Sequence, residues 1–71
     1  MHSRQTGSVK WFHEGYGIGV IRAGGQPSDY LVLRRAVGDE GLSAGERVSF
    51  QPVIQGLACW AFNVTRQQPL L

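Results

Sequence analysis

Cysteine is almost absent from this chain of 71 residues, which contains only Cys59. A single cysteine excludes an internal disulfide, so nothing in the sequence requires an oxidising compartment. Long apolar runs are also missing, and the first ten residues, MHSRQTGSVK, lack the apolar segment of a signal peptide. We therefore expect a soluble cytoplasmic protein with no membrane partner.

A strong excess of charge of one sign is absent as well. Seven basic residues stand against five acidic ones, which gives a net charge of +2. This small excess permits a polyanionic partner without requiring one. Six of the seven basic residues are arginine, whose planar guanidinium suits phosphate and can lie flat on a ring. The arginines favour a nucleic-acid partner only mildly, because solvated surface charge explains most single arginines.

Residues that could hold a metal or act as a nucleophile are few. The soft metal ligands are His2, His13 and Cys59, and they lack the paired spacing of a zinc site. A nucleophilic serine or cysteine needs a positioned base, and no motif indicates one. The sequence therefore predicts no metal, no cofactor and no enzymatic activity.

Turn-forming residues are abundant, with ten glycines and three prolines. They argue against a helical bundle, since glycine and proline destabilise helix interiors. The apolar stretches between them predict five strands: TGSVKWF, YGIGVIR, DYLVLR, ERVSFQPV and ACWAFNVT. Pro52 predicts that the fourth strand ends there or lies at an edge. We expect one small antiparallel barrel or sandwich over residues 6–65, with a flexible segment at 1–5 and a tail at 66–71.

The second predicted strand has an unusual alternation. Period two places Tyr16, Ile18, Val20 and Arg22 on one face and the glycines at 15, 17 and 19 on the other. Spaced glycines allow a strand to coil tightly or to accept another backbone close by. A dinucleotide-binding G-x-G-x-x-G fingerprint is excluded, because valine occupies the third glycine position and the strand continues.

Five short motifs follow one another along the chain: GSVKWF, YGIGVI, DYLVL, GERVSF and NVT. Together they resemble the bacterial cold shock proteins, from about Thr6 to Thr65, with a shorter loop after Val37. The resemblance implies an all-β fold, a five-stranded antiparallel OB-fold barrel of the cold-shock-domain type. It also implies that the second and third strands bind single-stranded RNA or DNA through aromatic side chains, in a protein that modulates transcription or translation.

The binding residues of the family transfer only in part. Lys10, Trp11 and Phe12 match the family, but its rings in the second and third strands are replaced by Ile18, Val20, Leu31, Leu33 and Arg34. Stacking on a ring contributes about 1–3 kcal/mol per base, so this loss predicts weak binding with little base selectivity. Charged contacts should make that binding sensitive to salt. The predicted nucleic-acid contacts are Lys10, Trp11, Phe12, Tyr16 and Arg34.

The same replacements predict a second kind of surface. On the outer face of two paired strands, four side chains would form an aliphatic patch consisting of Ile18, Val20, Leu31 and Leu33. A contiguous patch of this kind often marks a protein interface, so a protein partner or a homodimer is the alternative function. Two structural alternatives remain open: the strand parity is the reverse, or the loop RRAVGDEGLSAGE covers the patch.

Two further rings lie on the last predicted strand. Trp60 and Phe62 share their alternation with Val64, which predicts that both face inward and fill the core. The alternative for Trp60 is an extension of the binding surface. On the third strand, Tyr30 and Val32 should point into the barrel.

Overall fold

The computed structural model describes residues 4–38 and 41–67. Within these ranges the chain forms five strands, β1 Gln5–His13, β2 Ile18–Ala23, β3 Asp29–Leu33, β4 Arg47–Gln55 and β5 Ala58–Arg66. A single 3-10 turn, Arg34–Ala36, follows β3. The strands close into a barrel in the order β1-β2-β3-β5-β4, which confirms the predicted all-β, five-stranded OB-type fold.

Neighbouring strands pair antiparallel except for β3 and β5, which run parallel and close the barrel. This parallel contact pairs Leu31 with Trp60 and Val32 with Ala61. It brings the last strand beside the third, although the two are separated by a long loop and by β4. The edge of β3 that does not pair with β2 is therefore paired with β5 and is not open to solvent.

The core fills the barrel from the inward side of every strand, as period two requires. Tyr30 and Phe50 are its largest fully buried side chains, and their ring centroids lie 5.0 Å apart in a tilted arrangement. Tyr30 and Val32 point inward, as predicted. The loop between β3 and β4 adds Leu42, which is also buried. The core consists of Val9, Ile21, Ala23, Tyr30, Val32, Leu42, Val48, Phe50, Ala61 and Val64.

The second strand begins two residues later than its glycine pattern predicts. Residues 14–17 form a turn in which the Gly17 N–H donates to the His13 carbonyl at 2.8 Å, and Gly17 has a φ of 68°. Only glycine adopts that conformation without strain. The predicted close approach of two backbones is found at Gly19, where a Cβ atom would lie 2.6 Å from the Trp11 carbonyl oxygen. For Gly15 and Gly17 the strand prediction is wrong.

Pro52 lies inside β4, so the prediction that the strand ends there is wrong. The alternative prediction, that the strand lies at an edge at Pro52, is confirmed for this part of β4 only. The pairing of β4 with β1 runs from Arg47 to Phe50, whereas Pro52 pairs with Ala61 of β5. Proline has no N–H to donate and is tolerated where one side of a strand is unpaired, as it is on the β1 side here.

The barrel is slightly longer than predicted, because β1 begins at Gln5 and β5 ends at Arg66. Arg4 is also held in place, since its guanidinium donates to the Asn63 carbonyl at 2.6 Å and to Ser49 Oγ at 3.1 Å. Of the predicted flexible segment at 1–5 and the predicted tail at 66–71, residues 1–3 and 68–71 lie outside the described residues, as does His2. In the part of the chain that the structure describes, no helix is long and apolar enough to cross a membrane.

Candidate functional site

A β-bulge in β1 decides which way the first tryptophan points. Val9 pairs with Ile21, whereas Trp11 pairs with the next residue of β2, Val20, so the register shifts by one at Lys10. Without the extra residue, Val9 and Trp11 would share a face. Because of it, Val9 is buried while Trp11 is 46% exposed on the outside of the barrel. The bulge thus presents an indole ring to solvent.

The aliphatic patch (Ile18, Val20, Leu31 and Leu33) lies on this same outer face. Val20 pairs with Leu31 and Ile18 pairs with Leu33, so the four side chains form two adjacent cross-strand pairs. All four are half-buried, whereas the residues that alternate with them are fully buried. With the described part of the loop after β3 (residues 34–38 and 41–46) in place, the four side chains are still only half-buried. The structure therefore leaves an apolar surface at the centre of the sheet, and its use remains a prediction.

The patch belongs to a longer row of side chains that crosses four strands. Trp11 pairs with Val20, Val20 with Leu31, and Leu31 with Trp60. Neighbouring strands in a sheet are about 4.8 Å apart, so the backbone positions of the two tryptophans are separated by roughly 14 Å when measured along the curved sheet. We call this set of four residues the outer row. It offers a ring at each end and branched aliphatic side chains between them.

The predicted inward orientation of Trp60 and Phe62 is wrong. Phe62 is 40% exposed, and Trp60 is half-buried on the outer face opposite Leu31. The cause is a second irregularity, in which Ser49 pairs with Thr65 but Gln51 already pairs with Phe62. Asn63 sits at this bulge with a φ of 50°. The extra residue reverses the alternation before Val64, so the rings point outward while Val64 stays in the core.

Phe12 does not lie beside Trp11, although both were predicted as stacking rings. It pairs with Gly19 and packs against the core on the inner side, half-buried. The Arg34 guanidinium carbon lies 5.8 Å from the centroid of the Phe12 ring, within the range of a cation–π contact. Arg34 also donates to the Glu14 carbonyl and lies 3.4 Å from Glu14 Oε1. Phe12 and Arg34 thus form a separate pair, whose charge is already matched by Glu14.

Tyr16 lies in the turn before β2 and not on the strand face that its alternation predicted. Its side chain is 83% exposed, and its ring centroid lies 4.4 Å from that of His13. The Tyr16 backbone N–H donates to His13 Nδ1 at 3.2 Å, which fixes the turn against the end of β1. One face of the tyrosine ring is covered by the imidazole. Its exposure still allows contact with a ligand at the end of the sheet.

The cationic residues beside the outer row share one carboxylate. Lys10 Nζ lies 3.7 Å from one oxygen of Asp29, and Arg22 Nε lies 3.7 Å from the other. All three side chains are substantially exposed. Exposed ion pairs of this kind contribute about 0–1 kcal/mol, so a phosphate group can replace Asp29 at small cost. Lys10 is thus placed near Trp11 and remains accessible to an anion.

Metal-ligating side chains do not converge. Over residues 4–38 and 41–67 there is no group of three or more His, Cys, Asp or Glu side chains that could hold a metal ion. Cys59 is a half-buried free thiol on β5.

Sequence reasoning missed the outward orientation of Phe62, and a signal for it is present. Ala61 and Val64, both buried, are three residues apart and cannot share a face of a regular strand. Asn63 between them is a residue type that tolerates positive φ. In the sequence itself the signal is Asn63, because the break in period two becomes visible only once Ala61 and Val64 are known to be buried.

No protein-family model matches the chain. Comparison with curated proteins does identify relatives. The cold shock-like protein CspA of Vibrio cholerae is 42% identical over 53 residues, which cover 70% of this chain and 76% of the relative. The cold shock protein CapA of Pseudomonas fragi is 40% identical over 53 residues, covering 70% and 83%. The cold shock-like protein CspA of Shewanella violacea is 37% identical over 54 residues, covering 72% and 77%. These identities extend over most of each relative, and together with the closed five-stranded barrel they show that the chain belongs to the cold shock protein family.

Proposed function

We propose that this protein binds single-stranded RNA or DNA across the outer row, and that it modulates transcription or translation through this binding. The observation that carries the proposal is the continuous apolar row Trp11–Val20–Leu31–Trp60, which is bordered by Lys10 and Arg22. Stacking rings combined with nearby cations are the usual means of holding single strands. Membership of the cold shock protein family supports nucleic-acid binding in general.

The composition of the outer row predicts low affinity. Each base that stacks on a ring gains about 1–3 kcal/mol, and the row supplies rings only at its two ends. Val20 and Leu31 give a base apolar contact but no π surface. Every base has a flat face that can stack, and the aliphatic side chains of the outer row offer no hydrogen bonds that would select one base. The binding should therefore discriminate little between bases.

Electrostatic contacts should make the binding sensitive to salt. Lys10 and Arg22 are exposed beside the row, and their shared partner Asp29 can be replaced by phosphate. Single strands release about 0.7 counterion for each phosphate that a cation neutralises, so affinity falls steadily as salt rises. Tyr16 and Arg34, at the end of the sheet near His13 and Glu14, extend the contact in this proposal.

Intrinsic fluorescence tests the proposal directly, since both tryptophans of the chain lie in the outer row. The protein is titrated with a pyrimidine strand and a mixed-sequence strand, as RNA and as DNA, at low and at high salt. We expect saturable quenching that weakens at high salt and differs little between sequences. Absence of quenching at low salt with every strand rejects nucleic-acid binding at this face.

The half-buried aliphatic patch on the outer face favours a second candidate function, a homodimer or a protein-interaction module. Burying a branched aliphatic side chain gains about 1.5–3 kcal/mol before the cost of association. Sedimentation of the wild type and of Leu31→Lys measures whether the protein is a dimer and whether the patch forms the interface. A dimer that Leu31→Lys dissociates supports the interface, and the control Leu57→Lys, at the fully exposed tip of the β4–β5 hairpin, should leave it intact. A monomeric wild type rejects the homodimer.

A further inference from the structure

A groove separates β5 from the 3-10 turn that follows β3. It has a volume of about 190 Å³ and is lined by Leu33, Arg35, Ala36, Phe62 and Asn63. Pockets for drug-sized ligands are larger, typically about 300–1,000 Å³, so this groove suits a single planar group. It opens beside the outer row, because Leu33 also belongs to the aliphatic patch.

One wall of the groove is an aromatic ring that the bulge at Asn63 turns outward. Phe62 is 40% exposed and does not belong to the core, although a small barrel needs large apolar side chains there. The Asn63 amide is oriented by a hydrogen bond in which its Nδ2 donates to Gln51 Oε1 at 3.0 Å. A ring face next to a fixed amide is a combination that can stack on a base and contact its polar edge.

Arg35, at the rim of the groove, differs from the neighbouring cations. Arg34 is matched by Glu14, and Lys10 and Arg22 share Asp29. Arg35 is exposed, and within residues 4–38 and 41–67 no carboxylate lies at ion-pair distance from it. Its guanidinium is therefore available for a phosphate group, which it can bind through two parallel hydrogen bonds.

We propose that this groove is a nucleotide subsite of a bound single strand. The base stacks on Phe62 in contact with Leu33 and Ala36, and the adjoining phosphate is held by Arg35. A nucleotide fits better than an apolar peptide, because the groove has the size of one planar ring and has at its rim the positive charge of Arg35, with which no described carboxylate pairs. The inference rests on the proposed single-strand binding and adds to it a site on β5.

Fluorescence anisotropy of a labelled oligonucleotide tests the ring. Phe62→Leu keeps an apolar side chain but removes the π face, so we expect affinity to fall about fivefold to a hundredfold. Phe62→Tyr keeps the ring and should retain wild-type affinity. Leu57→Ala changes an exposed apolar side chain outside the groove and should also have no effect. Thermal melts of each variant establish that the barrel is folded.

An abasic scan of the oligonucleotide identifies the stacked base. Removing the base at one position should weaken binding to the wild type but not further weaken binding to Phe62→Leu, as expected for two changes that remove one contact. Equal losses in both proteins at every position contradict the subsite.

The phosphate contact has its own readout in the salt dependence. Arg35→Gln should reduce the slope of log affinity against log salt by about 0.7, the value for one phosphate contact on a single strand, and Arg35→Lys should preserve it. Failure of the wild type to bind any strand rejects the proposed function itself. Binding that depends on Trp11 but is unchanged in Phe62→Leu and Arg35→Gln rejects only the subsite and leaves the function standing.

Discussion

The centre and the flanks of the outer sheet differ in the side chains they present. The central strands β2 and β3 carry the aliphatic patch, whereas the flanking strands β1 and β5 carry Trp11, Trp60 and Phe62. Resemblance to the family implies rings at the centre. In this chain the rings lie on either side of it, so the single-strand binding that we propose would depend on the flanks.

Two bulges produce this difference. In β1 the extra residue at Lys10 turns Trp11 outward while Val9 stays in the core. In β5 the positive φ of Asn63 turns Phe62 outward while Val64 stays in the core. Between the bulges, β2 and β3 pair in regular register. Local breaks in alternation, and not composition alone, therefore decide which aromatic side chains reach the surface.

The largest effect on binding is expected from Trp11→Ala, which removes the ring from one end of the outer row. We expect single-strand affinity to fall about fivefold to a hundredfold, since the row has few rings that can substitute for it. Because Trp11 is nearly half exposed, we expect its removal to have little effect on the unfolding midpoint in urea. Anisotropy titration measures the affinity. If Trp11→Ala binds as tightly as the wild type, the flanks do not carry the binding.

The bulge in β5 predicts a change in stability. Asn63→Ala places an ordinary side chain at a φ of 50°, which we expect to lower the free energy of unfolding by about 1–2 kcal/mol. Asn63→Gly is the matched control, because it loses the same hydrogen bond to Gln51 but adopts the conformation freely. Urea titration of both variants gives the difference. Equal stabilities for the alanine and glycine variants would contradict a strained bulge at this position.

The sequence predicts the number of strands, their approximate limits and the inward orientation of Tyr30 and Val32, because those follow from period two and from turn residues. The outward side of β2 and β3 could also be predicted. Ile18 and Val20 alternate with Gly19 and Ile21 in a strand that contains no bulge. The sequence motifs sufficed to predict the family, because several of them occur in the expected order.

The orientation of side chains on the flanking strands could not be predicted by the same rule. A bulge adds one residue to one strand only, and every residue beyond it changes face. Strict alternation therefore placed Phe62 with Val64, whereas Ala61 and Val64 share the core. The ion pairs of Arg34 and Lys10 were also unpredictable, since they join residues far apart in the chain.

A ring introduced at the centre of the sheet should restore part of the stacking surface that the aliphatic patch lacks. Val20→Phe places a phenyl group between Trp11 and Leu31 in the outer row. We expect affinity for single strands to rise about fivefold to tenfold, the lower part of the range for one stacked base. Val20→Leu is the control for added apolar volume and should show a smaller gain. An equal gain in both variants would assign the effect to apolar contact and not to stacking.

The smallest effect is expected from Lys10→Gln, which removes one cation at the first bulge. Lys10 already lies 3.7 Å from Asp29, and Arg22 lies equally close to that carboxylate. Its loss should therefore lower affinity only a few-fold at low salt, while the slope of log affinity against log salt decreases by about 0.7. Lys10→Arg keeps the charge and should restore the slope. An unchanged slope in Lys10→Gln would mean that Asp29 holds Lys10 in the complex as well, and that the phosphate contacts beside the outer row come from the arginines.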